Sequence, residues 1–373
     1  MLFAFLVASA LPLTCALESI CRSCEAINNN ITFLTPNNSE LPGGTYIAIN
    51  STGITQLADY LDNHPDAFIK NLLLSDSTFE DLANDFGYFD TSYDRLNPPD
   101  EARWEKYRRM HAANQELSQT LRQHALDLEQ RVKRIIDRVA PTLESLVLLN
   151  YLRLDEGQFY NWDDNRTRTA LDHNFPQLTH LTIRDYHWDF KPLPGQRWRF
   201  FPPLPSVTHL HIVADANAFS GRYPSSSTLR RLVPNGQRIR LSGYPAKEFH
   251  PKLWKVVRWS RQIFQAILDW NPRKTIIVQP NYSPRGGYCG NPGIQHGCML
   301  AQLAWNPAIR VLLPHEEDYN HYGVSYAAAR LFSLRRALAE FEGRLVDGGE
   351  GEWDIPSLDE TSEQRRSSLR YCS

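Results

Sequence analysis

The stretch Phe175–Ile183, FPQLTHLTI, returns with few changes 29 residues later as LPSVTHLHI at Leu204–Ile212. An earlier form, APTLESLVL at Ala140–Leu148, precedes it by 35 residues. The shared frame is Pro-x-[Leu/Val]-x-x-Leu-x-[Leu/Ile]. Its last three positions alternate, which is the two-residue period of a strand. One strand of this length cannot hide its aliphatic side alone. Copies laid side by side can, with the intervening chain wrapped behind them. Ile69, Leu72 and Leu74 repeat the same spacing and mark an earlier copy.

Leu-x-x-Leu-x-Leu is the strand half of a leucine-rich repeat, whose usual period is about 20–29 residues. The intervals here are longer and irregular, and the Asn or Cys ladder position is missing. Near the end, WNPRKTIIVQP (Trp270–Pro280) is echoed by WNPAIRVLLP (Trp305–Pro314) at an interval of 35. The run between Pro245 and Trp270 has the pattern of a crossover helix. The expected fold class is α/β: an irregular leucine-rich-repeat-like solenoid with a parallel sheet and helical crossovers.

A strand sends alternate side chains to opposite faces. If the Leu and Ile positions of the frame point to the core, Ser145, His180 and His209 form one exposed row on the other side. Val147, Thr182 and His211 form the next. These six are the expected partner-binding residues of a concave face.

Elsewhere the text is helical or turn-rich. Asn28–Gly53 holds short β-prone pieces, ITFL and TYIAI, between Pro, Gly and Asn breakers. Ile54, Leu57, Ala58 and Leu61 follow at helical spacing, and Asn63-His64-Pro65 should end that helix, because proline disfavours helical geometry in its predecessor. Asn84–Glu101 reads as an acidic, aromatic loop. Residues 100–139 carry the longest helical signal, with Leu117, Leu121, Leu128, Val132, Ile135, Ile136 and Val139 on one face. Its other face is charged and reads as solvated.

With 373 residues, 42% of them apolar and 22% charged, the chain has ordinary globular composition. The net charge of −2, with basic clusters set among acids, gives no footprint for nucleic acid. Six cysteines, at 15, 21, 24, 289, 298 and 372, are too sparse for a disulfide framework. Cys289, His296 and Cys298 make only a zinc half-site where a structural zinc wants four ligands. Residues 315–321, HEEDYNH, lack the His-Glu-x-x-His spacing. No Gly-x-Ser-x-Gly, P-loop or dinucleotide fingerprint occurs. The expectation is no metal, no cofactor and no catalysis.

The first residues, MLFAFLVASALPLTCALES, carry no charge before Glu18. They are too short for a membrane span, and no basic side chain precedes them as a secretory signal requires. Read alone they fit a signal peptide or a buried helix equally. Five sequons, at Asn30, Asn37, Asn50, Asn165 and Asn281, would gain meaning only with secretion.

In their order along the chain these segments resemble the fungal F-box/leucine-rich-repeat type of protein. QLADYLDNHPDAFIKNLLLSD (Gln56–Asp76) is similar to that family's helix-then-strand entry, VAPTLESLVL, FPQLTHLTI and LPSVTHLHI to its repeat strands, and VDGGEGEW (Val346–Trp353) to its ending. SALPLTCALESICRSCEAINNNITFLTP (Ser9–Pro36) resembles the later part of an F-box whose opening Leu-Pro helix is missing. The resemblance implies a truncated F-box-like segment at 1–34, a repeat domain at 54–355 containing the helix 100–139, and a disordered tail at 356–373. It further implies a non-catalytic recognition scaffold holding a client protein, docked on the linker subunit of a cullin-type ubiquitin ligase in the cytoplasm or nucleus. A secreted glycoprotein with a repeat-like binding face is the alternative if residues 1–16 act as a signal. Neither reading calls for nucleic acid or a membrane span.

Overall fold

The computed structural model describes residues 31–37, 42–78, 123–124, 126–151, 170–184, 202–213, 226–245, 275–281, 309–311 and 326–347. The part before Ile31 of the segment expected to be F-box-like, all six cysteines, the HEEDYNH stretch, the expected crossover at 246–270 and the tail lie outside them.

Among the described residues nine strands form one sheet: β1 (Phe33–Leu34), β2 (Thr45–Ile49), β3 (Asn71–Ser75), β4 (Ser145–Leu149), β5 (His180–Arg184), β6 (His209–Val213), β7 (Arg238–Pro245), β8 (Thr275–Asn281) and β9 (Ile309–Val311). Their spatial order is their sequence order, β1 through β9. β1 runs antiparallel to β2, and every later pair is parallel. Sequence neighbours become spatial neighbours because each connection returns the chain to the same edge.

A single hydrogen-bonding device sets the register. The carbonyl just before each strand accepts two N–H groups from the next strand. Gly44 serves Lys70 and Asn71, Lys70 serves Glu144 and Ser145, and Glu144 serves Thr179 and His180. Thr179 then serves Thr208 and His209, and Thr208 serves Gln237 and Arg238. Residues 45, 71, 145, 180, 209 and 238 are thereby aligned across the sheet.

The second and fourth residues of each strand face one side, and the frame's Leu and Ile fill them. Leu72, Leu74, Leu146, Leu148, Leu181, Ile183, Leu210, Ile212, Ile239 and Leu241 are buried in one continuous core. The helices on that side are α1 (Asn50–Asn63), α2 (126–139) and α3 (Ser226–Leu232). Ile54, Leu57, Ala58 and Leu61 of α1 and Leu128, Val132, Ile135, Ile136 and Val139 of α2 enter the same core. Each fully buried Leu or Ile contributes about 1.5–3 kcal/mol relative to exposure. α1 ends at Asn63, as the following His-Pro pair predicts, and α2 ends at 139, two residues before Pro141. The part of the expected long helix before residue 123 lies outside the described residues.

The entry into α1 explains one of the sequons. Asn50 adopts a φ of 58°, a left-handed conformation that asparagine tolerates. Its side-chain oxygen accepts the N–H groups of Thr52 and Gly53 at 2.9 and 3.1 Å, which is the work of an N-cap. Gly53 is required by close approach: a Cβ there would collide with the Thr32 carbonyl oxygen.

The first, third and fifth strand residues face the opposite way, and a fourth helix, α4 (Tyr326–Asp347), packs on them. Leu334, Ala337, Leu338 and Phe341 of α4 join Ile47, Ile49, Leu73, Val147, Leu149, Tyr151 and Val213 in a second core. The sheet is thus buried on both faces, as parallel sheets generally are. Among the described residues, no helix is long and apolar enough to cross a membrane.

Candidate functional site

The register places the six expected residues as two adjacent rows. Ser145, His180 and His209 are direct neighbours on β4, β5 and β6, and so are Val147, Thr182 and His211. β7 extends the first row with Arg238 and the second with Arg240. The rows face α4, and here the expectation of an exposed surface needs correcting. Ser145 and Val147 are each 3% exposed and His211 is 2% exposed. The reason is α4, which lies over them. His180, Thr182 and His209 remain half-buried.

Along the first row, the repeated Thr-His pair builds a repeated unit. The Thr179 hydroxyl lies 3.2 Å from the Glu144 carbonyl and 2.9 Å from His180 Nδ1. One strand on, Thr208 lies 3.3 Å from the Thr179 carbonyl and 2.9 Å from His209 Nδ1. A hydroxyl has one proton to give. Each hydroxyl therefore bridges a carbonyl of the preceding strand and the neighbouring imidazole. The two imidazoles stack with centroids 4.3 Å apart and planes 15° apart. Burial, then the charges of Arg344, His209 and Arg238, push His180 down to about 3. Arg344 of α4 closes this row by donating from Nη2 to Ser145 Oγ.

The second row carries a buried ionic knot. Glu340 of α4 receives Arg240 Nη2 at 2.7 Å and Arg336 Nε at 2.5 Å. Its other oxygen lies 3.3 Å from His211 Nδ1. His211 Nε2 meets Ser242 Oγ at 2.6 Å. Burial would raise the Glu340 carboxyl, but Arg240, Arg336 and His211 outweigh it and hold it well below the usual range. Burial drives His211 down to about 4; Glu340 opposes this, while Arg240 and Arg336 reinforce it.

Hydroxyl, imidazole and carboxylate stand here in the order of an acyl-transfer triad, and the comparison is instructive. In such a triad the carboxylate serves the imidazolium formed when the hydroxyl is deprotonated. Glu340 is already shared between two guanidiniums. A histidine with a pKa of about 4 is a poor base at neutral pH. Ser242, 6% exposed, has its hydroxyl turned into the knot. The contacts of the knot tie α4 to β6 and β7.

Sequence reasoning finds His180, His209 and His211 but misses Arg240, Ser242, Arg336, Glu340 and Arg344. The signal for the helical members is the i, i+4 spacing of Arg336, Glu340 and Arg344, which puts three charges on one stripe. Leu334, Leu338, Phe341 and Leu345 mark the apolar stripe beside it. Comparison of the chain with protein-family models, curated proteins and solved structures finds no match.

Proposed function

We propose that this chain is a non-catalytic protein-recognition scaffold, an irregular leucine-rich-repeat-like solenoid whose partner-reading surface is the sheet face shared with α4. The observation that carries the reading is the nine-strand order β1 to β9 with one hydrogen-bonding device repeated from strand to strand. Such an arrangement aligns chosen side chains in rows, and rows of half-buried polar groups beside a fixed hydrophobic core are what a recognition surface needs. His180, His209 and Thr182 are the partner contacts in this reading. Ser145, Val147 and His211 act beneath them, by fixing α4. The adaptor role, docking on the linker subunit of a cullin-type ubiquitin ligase, rests on the resemblance of Ser9–Pro36 to the later part of an F-box.

A photo-crosslinking residue placed at Thr182 tests the surface, with one at Lys133, exposed on α2, as control. In extract of the source cells, the expected result is one discrete partner joined to Thr182 and none to Lys133. Equal or absent crosslinking at the two positions overturns the scaffold reading. Native purification that recovers the partner without any cullin-ligase subunit removes the adaptor role alone. Modification of Ser242 in the folded chain by a fluorophosphonate probe would overturn the non-catalytic part.

A further inference from the structure

We propose that α4 is a displaceable strap: it occupies the recognition face of the chain at rest, and an amphipathic helix of the partner, patterned like α4, takes its place. The inference rests on the recognition reading and adds how access to that face is controlled.

The sheet does not depend on α4. The strand order and the carbonyl device that sets the register run from strand to strand, and α4 contributes to neither. The core on the α1, α2 and α3 side contains no residue of α4. Leu334, Ala337, Leu338 and Phe341 all belong to the second core, on the opposite face. Withdrawal of α4 therefore unpacks one core and leaves the other closed. A segment joined to a fold in this way is the kind that opens locally, below the free energy of global unfolding.

The seat beneath α4 is polar along one stripe. Glu340 meets Arg240, Arg336 and His211 there, and Arg344 donates to Ser145. Burying such groups costs solvation that their pairing only offsets. The stripe thus fixes where α4 lies and adds little to how tightly it is held. Water can take back the same groups when the helix leaves. In the strand-start row, His180 and His209 are half-buried even with α4 in place, as is Thr182 in the row behind.

The grip comes from the apolar stripe, where α4 shares a core with Ile47, Leu73 and Val147. Those side chains, once bare, would form the kind of apolar patch that proteins keep covered. Release is therefore favourable only as an exchange, in which another helix brings matching surface. The pattern required is that of α4 itself: apolar residues spaced as Leu334, Leu338 and Phe341, with a carboxylate at the place of Glu340. An amphipathic helix anchored at such spacings is a common mode of peptide recognition.

The test adds a fluorescein-labelled peptide of residues 326–347 to the full chain and reads anisotropy. Saturable binding is expected, through exchange with the resident helix. Glu340→Gln in the peptide should weaken binding by about tenfold, the scale of one charge-assisted hydrogen bond. Glu340→Gln in the chain should strengthen it by about the same factor, because the resident helix then competes less well. Hydrogen exchange on the unmodified chain supplies a measurement free of variants: amides of 334–345 should exchange ahead of those of β4, β5 and β6. No saturable binding, two substitutions that act alike or not at all, or exchange of α4 only together with the strands overturns the proposal. If Thr182 captures a partner and excess peptide leaves that capture unchanged, recognition stands and the strap falls. If the peptide exchanges as expected while Thr182 captures nothing, the strap stands and the recognition reading falls.

Discussion

Strands β2 to β4 and strands β5 to β7 present the same rows to the same helix, yet they hold it by opposite means. On the second row the first group offers Ile47, Leu73 and Val147, against which Leu334, Leu338 and Phe341 pack. At the same height the second group offers Thr182, His211 and Arg240, and the helix answers with Glu340 and Arg336. Apolar contact is tolerant of small shifts, because its energy follows area. A buried carboxylate shared by two guanidiniums tolerates little. The pair of halves shows how one helix can be adhesive on one stripe and register-setting on the next.

The sharpest way to break the comparison is to remove the centre of the ionic half. Glu340→Ala leaves Arg240 and Arg336 as buried cations without their carboxylate, and should cost about 3–5 kcal/mol in urea unfolding. The combined change Glu340→Leu, Arg240→Met, Arg336→Met and His211→Leu should be neutral or stabilising by about 1–4 kcal/mol, since desolvating charges is itself expensive. If this combined variant is as unstable as the single one, the knot contributes more than its desolvation cost and the contrast between the halves is wrong.

On the apolar half, Leu338→Ala should cost about 3 kcal/mol, from lost transfer energy and the cavity left behind. Leu338 is fully buried. Unlike the ionic case, Leu338→Met should restore most of the loss, because volume rather than charge geometry is at stake. A Met variant no better than Ala would mean that this half is also set by exact shape.

Acid separates the halves without mutation. His211 has a folded pKa of about 4 against an ordinary 6.5, and His180 one of about 3. Between these values the unfolded chain binds protons that the folded chain refuses. Stability is therefore full above about pH 6.5 and falls on acidification, by about 1.4 kcal/mol per pH unit for each buried imidazole. The lowered carboxyl of Glu340 adds its own loss only below its ordinary 4.5. His211→Leu should roughly halve the slope measured by urea titrations between pH 6 and 5, while Leu338→Ala should leave the slope unchanged.

How much of this was legible follows from which interactions are local. β4, β5 and β6 could be read because Pro-x-[Leu/Val]-x-x-Leu-x-[Leu/Ile] is a local pattern, and the resulting sheet is parallel and in register as expected. β7 escaped it although Pro234 stands 29 residues after Pro205. Gly236 replaces the frame's Leu or Val, and a Cβ there would lie 3.0 Å from Val233 Cγ2. The Trp-Asn-Pro echo located β8 and β9 but not their pairing. Ile276 faces Ile309, an offset of 33 rather than the 35 of the echo. A slip of two residues keeps every side chain on its own face, so the core does not object. The covering helix was missed for a different reason. Its stripes are readable, but which face of the sheet receives them is decided by contacts some hundred residues apart. The same non-local choice turned Ser145, Val147 and His211 from expected surface into buried groups.

The smallest expected effect lies where the two halves meet. Ser145 belongs to β4, beside the apolar group, yet its hydroxyl accepts from Arg344, the last charge of the ionic stripe. Ser145→Ala removes the acceptor and leaves a part-buried guanidinium to find another, which should cost about 1 kcal/mol in urea unfolding. The loss should grow when Ser145→Ala is combined with His180→Asn, because both changes alter the surroundings of one cation, and contacting residues are non-additive. It should simply add to Leu338→Ala, whose side chain belongs to the other stripe. Additivity with both partners would mean that Arg344 is held by α4 alone, and that the strand-start row and the helix are separate pieces of surface.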